Sequence, residues 1–188
     1  MQLPHSRRLR GGLRVNDPGL AWDAVLRLPF GRLGVRCTAH SLLQTEYLPG
    51  DGARQPPPRA LAPLVDELQA QLQAYCDDPR FRPELPLAPA GSAFQARVWG
   101  ALRDIPVGCT LSYGELAAQL HSSARAVGGA CASNPFAPLV PCHRVIGRAG
   151  LGGFAGSTDA AGALLGIKRW LLRHEGALPS PSTLFADA

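Results

Sequence analysis

Pro141-Cys142-His143-Arg144-Val145 sets a cysteine directly before a histidine, and that pair is the raw material of a thiolate nucleophile. A free cysteine, with a pKa of about 8.5, is only a few per cent thiolate at neutral pH, so a base or cation beside it must raise that fraction. Adjacent side chains on an extended strand point to opposite faces. Cys142 and His143 therefore cooperate only where the backbone bends or a water bridges them. Pro135, Pro138 and Pro141 crowd the approach, and each fixes φ and removes a backbone donor, which favours a bend. Asn134-Pro135 is itself a turn signal. A buried structural cysteine followed by a surface histidine would satisfy the same two residue types, so the pair alone does not decide the chemistry.

The elements that must position this stretch read as helices and tight turns. Ser92 caps a helix with Phe94, Val98, Trp99 and Leu102 on its buried side, and Ile105-Pro106-Val107-Gly108 ends it. Ser112-Tyr113-Gly114-Glu115 is a capping box, with serine at the N-cap and glutamate at N3, opening a short helix through Leu120. His121-Ser122 turns the chain, and Ser123 caps a second helix that carries Arg125 in its first turn and ends before Asn134. Helix, tight turn, helix, with a cation at the start of the second, is a helix-turn-helix outline, although many helical hairpins bind nothing. Gly147 to Gly156 is glycine-rich around Phe154, with no lysine or serine at phosphate-loop spacing, and reads as a loop closing over a pocket. A last helix runs from Ala160 to His174, cationic toward its C-terminus, with Gly176 as its stop.

Upstream, Ala24–Leu28, Leu33–Thr38 and Leu42–Leu48 read as strands, separated by Pro29-Phe30-Gly31 and Ala39-His40-Ser41. After a loop over 49–58, Leu61, Leu64, Val65, Leu68, Leu72 and Tyr75 recur on one helical face meant to lie on a sheet. Pro83, Pro86, Pro89 and Gly91 mark 77–91 as a linker between two lobes. The expected organisation is a basic tail over 1–19, a first lobe over 20–88, a second over 89–178 and a short tail over 179–188. The N-terminal tail is either flexible or a phosphate-binding arm.

Bulk properties set limits. The chain has 188 residues, 46% hydrophobic and 18% charged, with a net charge of +5, enough to bury a core in one large or two small domains. The positive charge is arginine apart from Lys168, the sole lysine. Arginine suits phosphate and base contacts, and a GC-rich genome would give the same bias. Cys37, Cys76, Cys109, Cys131 and Cys142 are odd in number and lack C-x-x-C spacing. That argues against a disulfide scaffold or compact zinc site and for a reducing compartment. Cys37 and His40 are either metal ligands or ordinary packing residues. No apolar leader and no membrane-length run is seen, so a cytoplasmic protein is expected.

Read together, Arg125-Ala126-Val127-Gly128-Gly129-Ala130, Asn134-Pro135, Pro141-Cys142-His143-Arg144-Val145 and Leu171-Leu172-Arg173-His174-Glu175-Gly176 resemble the O6-alkylguanine-DNA alkyltransferase family. The resemblance is strong over 90–176 and holds in outline before that. It implies an α/β protein: a small ribonuclease-H-like sheet lobe, then a mostly helical lobe with a winged helix-turn-helix. It also implies a reaction, irreversible and single-turnover transfer of the alkyl group from O6-alkylguanine in DNA to Cys142.

By the same resemblance, His143 takes the thiol proton through a water, Glu175 orients His143, and Asn134 holds the turn. Tyr113 donates as the guanine leaves. Val145 and Cys142 carbonyls, with Phe154 and the Ala155 and Gly156 amides, meet the flipped base. Arg125 fills the gap in the stack while Ala126 and Gly128 allow close approach to the minor groove; these small residues also suit tight helix packing. The implied partner is double-stranded DNA carrying alkylated bases, met by a monomer with no membrane, cofactor or metal involved. Whether O4-alkylthymine is also repaired stays open at the level of the sequence. Three features depart from the family pattern: a short turn between Leu120 and Arg125, a long segment from Gly156 to Lys168, and Ala155 where a lid serine is common. The alternatives are a lesion-binding relative with little or no transfer, a cysteine hydrolase on another fold, and a helix-turn-helix regulator.

Overall fold

Apolar residues cluster in three short runs that build an antiparallel sheet, β1 (Ala24–Leu28), β2 (Gly31–Cys37) and β3 (Leu42–Leu48), in the order β1-β2-β3. The computed structural model describes residues 21–148, 150–157, 159 and 162–178. Both expected tails, and the start of the last helix at Ala160, lie outside the described residues. Strand β2 begins two residues earlier than Leu33, the expected start. Gly31 takes φ +132° at the hairpin, a conformation open to glycine, and pairs at once with Leu28. The register sets Leu26 opposite Leu33 and Leu33 opposite Tyr47, all buried.

Helix α1 (Ala62–Asp77) buries Val65, Leu68, Leu72 and Tyr75, the face its periodicity indicates. Both outer strands are covered. Val25 and Gln55 exchange backbone hydrogen bonds on β1, and Leu42 exchanges them with Pro86 and Ala88 on β3. The proline-rich 77–91 segment is thus partly docked on the sheet and blunts its edge.

The remainder holds α2 (Ala93–Asp104), β4 (Leu111–Ser112), α3 (Tyr113–Gln119), α4 (Ala124–Ala132), β5 (Val145–Ile146) and α5 (Ala163–His174). The expected caps are in place. Ser92 and Ser112 each complete a capping box, with Gln95 and Glu115, and Ser123 accepts from the Ala126 amide. On α2, Val98, Trp99 and Leu102 are buried, while Phe94 is half-buried. The turn between α3 and α4 is tight because His121 sits at φ +50°, the left-handed position that often ends a helix, while the Ser122 amide reaches back to the Ala117 carbonyl at 2.9 Å. Trp99 Nε1 donates to the Ala130 carbonyl at 2.8 Å and fastens α2 to α4. β4 and β5 pair in parallel, Leu111 with Val145, under this helical pair.

The apolar core is continuous from sheet to helices. Phe30 meets Trp170 at 5.6 Å and Tyr47 meets Phe154 at 5.3 Å between ring centroids. The outcome is a mixed α/β architecture, with a small sheet and several helices converging on the stretch around Cys142. No helix among the described residues is long and apolar enough to cross a membrane.

Candidate active site

Cys142, His143 and Arg144 form a single 3-10 turn rather than a strand, so the backbone bends where two neighbouring side chains must cooperate. The turn is tied at its start: the Cys142 amide donates to the Val140 carbonyl at 2.9 Å and the Arg144 amide to Pro141 at 3.1 Å. Asn134 braces the approach. Its Nδ2 donates to the Val140 carbonyl at 2.8 Å, and its Oδ1 accepts from the Phe136 amide at 3.0 Å. β3 fixes the same loop through Thr45, whose amide donates to the Pro135 carbonyl at 2.7 Å and whose hydroxyl donates to Ala137.

Glu175, the C-cap of α5, gathers a charge network behind the turn. Its Oε1 accepts from His143 Nε2 at 2.9 Å, Tyr75 Oη at 2.9 Å and Arg144 Nη2 at 2.8 Å. Its Oε2 accepts from Arg144 Nε at 2.9 Å, and Arg144 Nη1 donates to the Ile105 carbonyl at 2.6 Å. A carboxylate only accepts, so Nε2 carries the His143 proton and Nδ1 carries the lone pair. That Nδ1 is buried and, among the described residues, makes no hydrogen bond to a protein atom.

Burial alone would raise the Glu175 carboxyl, but hydrogen bonds from His143 and Arg144, with their charges, hold it at about 2. Burial lowers the His143 pKa against the pull of Glu175, so the pair rests as neutral imidazole beside carboxylate. The Cys142 thiol is pushed up by burial, which outweighs an Asn134 side-chain hydrogen bond and the Lys168 charge. Of the base or cation that a reactive Cys142 needs beside it, Lys168 supplies a nearby cation. Desolvation nonetheless keeps the resting group a thiol.

Lys168 is fully buried. Its Nζ donates to the carbonyls of Val145 at 2.7 Å, Leu151 at 2.6 Å and Gly153 at 3.2 Å, joining α5 and β5 to the glycine-rich loop. Burial lowers its pKa to about 8. Tyr113 Oη also donates to Gly153, at 3.2 Å, and burial, with Cys131 and Cys142 nearby, pushes its phenol well above the usual value.

Cys142, Tyr113, Gly128, Cys131, Phe154 and Gly156 wall a cavity of about 230 Å³, and Ala155 borders it. Ala155 at φ +48° and Gly156 at φ +81° form a tight turn closed by the Phe154 and Ser157 amides, which donate to each other's carbonyls at 2.8 and 2.9 Å. Among the described residues, no backbone carbonyl takes the Ala155 or Gly156 amide. Val145 is buried below, its carbonyl already accepting from Lys168. His143 and Glu175 border a second cavity, also about 230 Å³, with Tyr75 and Arg144. Arg125 and Ala126 lie exposed on α4, and Gly128 faces the Tyr113 ring, 4.0 Å from where a Cβ would stand. Cys37 packs in the core and His40 is exposed; among the described residues no cluster of three or more His, Cys, Asp or Glu could hold a metal ion.

Residues 93–177 match the family model for the 6-O-methylguanine DNA methyltransferase DNA binding domain. The chain is 52% identical over 97 residues to the methylated-DNA–protein-cysteine methyltransferase of Shigella flexneri, covering 50% of this chain and 53% of that protein. It thus spans about half the length of that relative. The protein of the same name from Mycobacterium bovis is 41% identical over 147 residues, 77% of this chain and 83% of the relative. Among solved structures, Mycobacterium tuberculosis OGT in complex with DNA superimposes with a TM-score of 0.63 at 36% identity, covering 86% of this chain and 97% of that one. The chain belongs to the methylated-DNA–protein-cysteine methyltransferase family.

Within this methyltransferase framework three polar side chains stand at the site that sequence reasoning left without a role. Arg144 lay inside the quoted motif as a bystander, yet it makes two of the four hydrogen bonds to Glu175. From the sequence, Lys168 stands out as the sole lysine and as the end of the long segment from Gly156, with no role at the site. A readable signal existed, since it falls on the buried stripe of α5 with Leu165, Leu171 and Leu172, where an unpaired cation is costly. Tyr75 was assigned to an apolar face, which is right for its ring and silent about its hydroxyl.

Proposed function

We propose that this chain reverses DNA alkylation directly, by moving the alkyl group from O6 of a flipped guanine onto Cys142. The observation that carries this reading is the buried Cys142 in the wall of a cavity beside Tyr113, with His143 on the same turn and bonded to Glu175 at the end of α5. His143 Nδ1 takes the thiol proton through a water, and the sulfur then attacks the alkyl carbon. The bond from that carbon to O6 breaks, and its electrons leave with the guanine, which receives a hydrogen bond or proton from Tyr113. Asn134 holds the turn, and Phe154, the Ala155 and Gly156 amides and the backbone near Val145 meet the base. A thioether does not hydrolyse, unlike the acyl intermediate of a cysteine hydrolase, so each molecule acts once. No cofactor enters the step.

In this reading residues 20–88 are a ribonuclease-H-like lobe and 89–178 a winged helix-turn-helix lobe. Helix α4 meets duplex DNA from the minor groove, Ala126 and Gly128 allowing approach while Arg125 replaces the flipped base. Extrusion costs on the order of a few kcal/mol, which the inserted arginine partly offsets. The protein acts as a monomer in the cytoplasm, and O4-alkylthymine is a secondary substrate.

Intact mass after incubation with a duplex containing O6-methylguanine tests the reaction. The expected result is one methyl per molecule on the Cys142 peptide, and none in Cys142→Ala although that variant still binds the duplex. The raised thiol pKa gives a second reading its footing: tight lesion binding with no mass gain in the unaltered protein would establish a lesion-binding relative that does not transfer.

A further inference from the structure

Tyr75 lies at the end of α1, 100 positions before Glu175 and outside the segment matched by the family model. Its side chain is 4% exposed, and its hydroxyl donates to the same carboxylate oxygen that accepts the His143 proton. The residue preceding Glu175 holds Tyr75 a second time: His174 Nε2 bonds to the Tyr75 carbonyl at 2.7 Å, and the two rings meet edge to face at 5.2 Å. A phenylalanine would fill the same apolar space. What the hydroxyl adds is one donor on Glu175.

We propose that Tyr75 is a positioning residue for the His143–Glu175 pair, through which the sheet portion of the molecule sets how readily His143 accepts a proton. This rests on the reading of His143 as the base for Cys142. Glu175 Oε1 shares its negative charge among Tyr75, His143 and Arg144. Each donor drains charge from that oxygen, and without the phenol more of it falls on the Nε2–H of His143. That stabilises the imidazolium. An imidazolium has no lone pair at Nδ1 and cannot take the thiol proton, so the balance must favour the neutral ring.

The other groups facing the pair are Arg144 from the turn, Lys168 from α5 and Tyr47 from β3. Arg82, Glu84, Arg103 and Asp104 line the cavity behind it. Arg144 and Lys168 disfavour the imidazolium, and all of these groups are unchanged when only the Tyr75 hydroxyl is removed.

The test compares the parent protein with Tyr75→Phe in two measurements: the His143 imidazole titration by NMR, and the transfer rate from an O6-methylguanine duplex across the acid side of neutrality. The expected result is a His143 titration and an acid limb of the rate that both move up by about half to one pH unit. The rate then falls roughly three- to tenfold on that limb and converges with the parent above it. A merely structural role would slow transfer evenly or lower the melting temperature with the His143 titration unmoved, and that result overturns the proposal. Because the NMR titration needs no transfer, it decides the role of Tyr75 even if the parent protein proves not to react, an outcome that would sink the functional reading instead.

Discussion

Burial disfavours charge on Cys142, His143, Tyr113 and Lys168 and prevails at each of them. Glu175 is the exception, because hydrogen bonds and charge from His143 and Arg144 overcome its desolvation. Its folded value near 2 lies below an unfolded value of about 4.3. The native state therefore binds fewer protons between those limits. The stability it contributes is fully present above about pH 4.3 and is lost as pH falls toward 2, about 3 kcal/mol in all. Glu175→Gln should flatten that acid limb. At neutral pH it should also cost about 3–5 kcal/mol, because Arg144 is left buried without its counter-charge. Urea midpoints measured across acid pH check both expectations, and parallel curves for the two proteins would refute the first. The chemistry of Cys142, His143 and Glu175 was legible from motifs read against a known family. The partners were not. Tyr75, Arg144 and Lys168 take their roles from contacts far apart in sequence, which no local spacing encodes.

Elements whose signals are local were the ones best read in advance. Ser92, Ser112 and Ser123 cap the helices they were expected to cap, since a capping bond spans only two or three residues. The two-residue strands β4 and β5 escaped notice because such short runs carry no periodicity. The bend at Cys142 was foreseeable from three prolines, although its 3-10 form was not. Helix α4 presents Arg125 outward while Val127, Ala130 and Cys131 hold the helix to the core. Arg125→Ala should therefore leave the fold intact and slow transfer from duplex DNA on the order of tenfold or more, with little change on the free base, because only the duplex requires extrusion. Equal losses on both substrates, measured as single-turnover rates, would remove Arg125 from that role.

At the scale of the whole molecule, the segments 20–88 and 89–178 expected as two lobes share one continuous apolar core among the described residues. Thr45 of β3 anchors the loop before Cys142, Tyr75 of α1 reaches Glu175, and the 77–91 segment pairs with Leu42. Sheet and helices should therefore unfold together. Tryptophan emission, reporting Trp22 beside the sheet and Trp99 and Trp170 in α2 and α5, should trace the same single denaturation curve as far-ultraviolet dichroism. Two separated transitions would show that the sheet portion melts independently. The burial of Lys168 has a practical counterpart at this scale. It is the only lysine in the sequence and is wholly shielded from solvent, so the folded surface offers no side-chain amine to acylating dyes, cross-linkers or any modification written on lysine. Labelling at that single position would instead register the moment when the glycine-rich loop lets go of α5, making the residue a built-in marker for opening of the pocket.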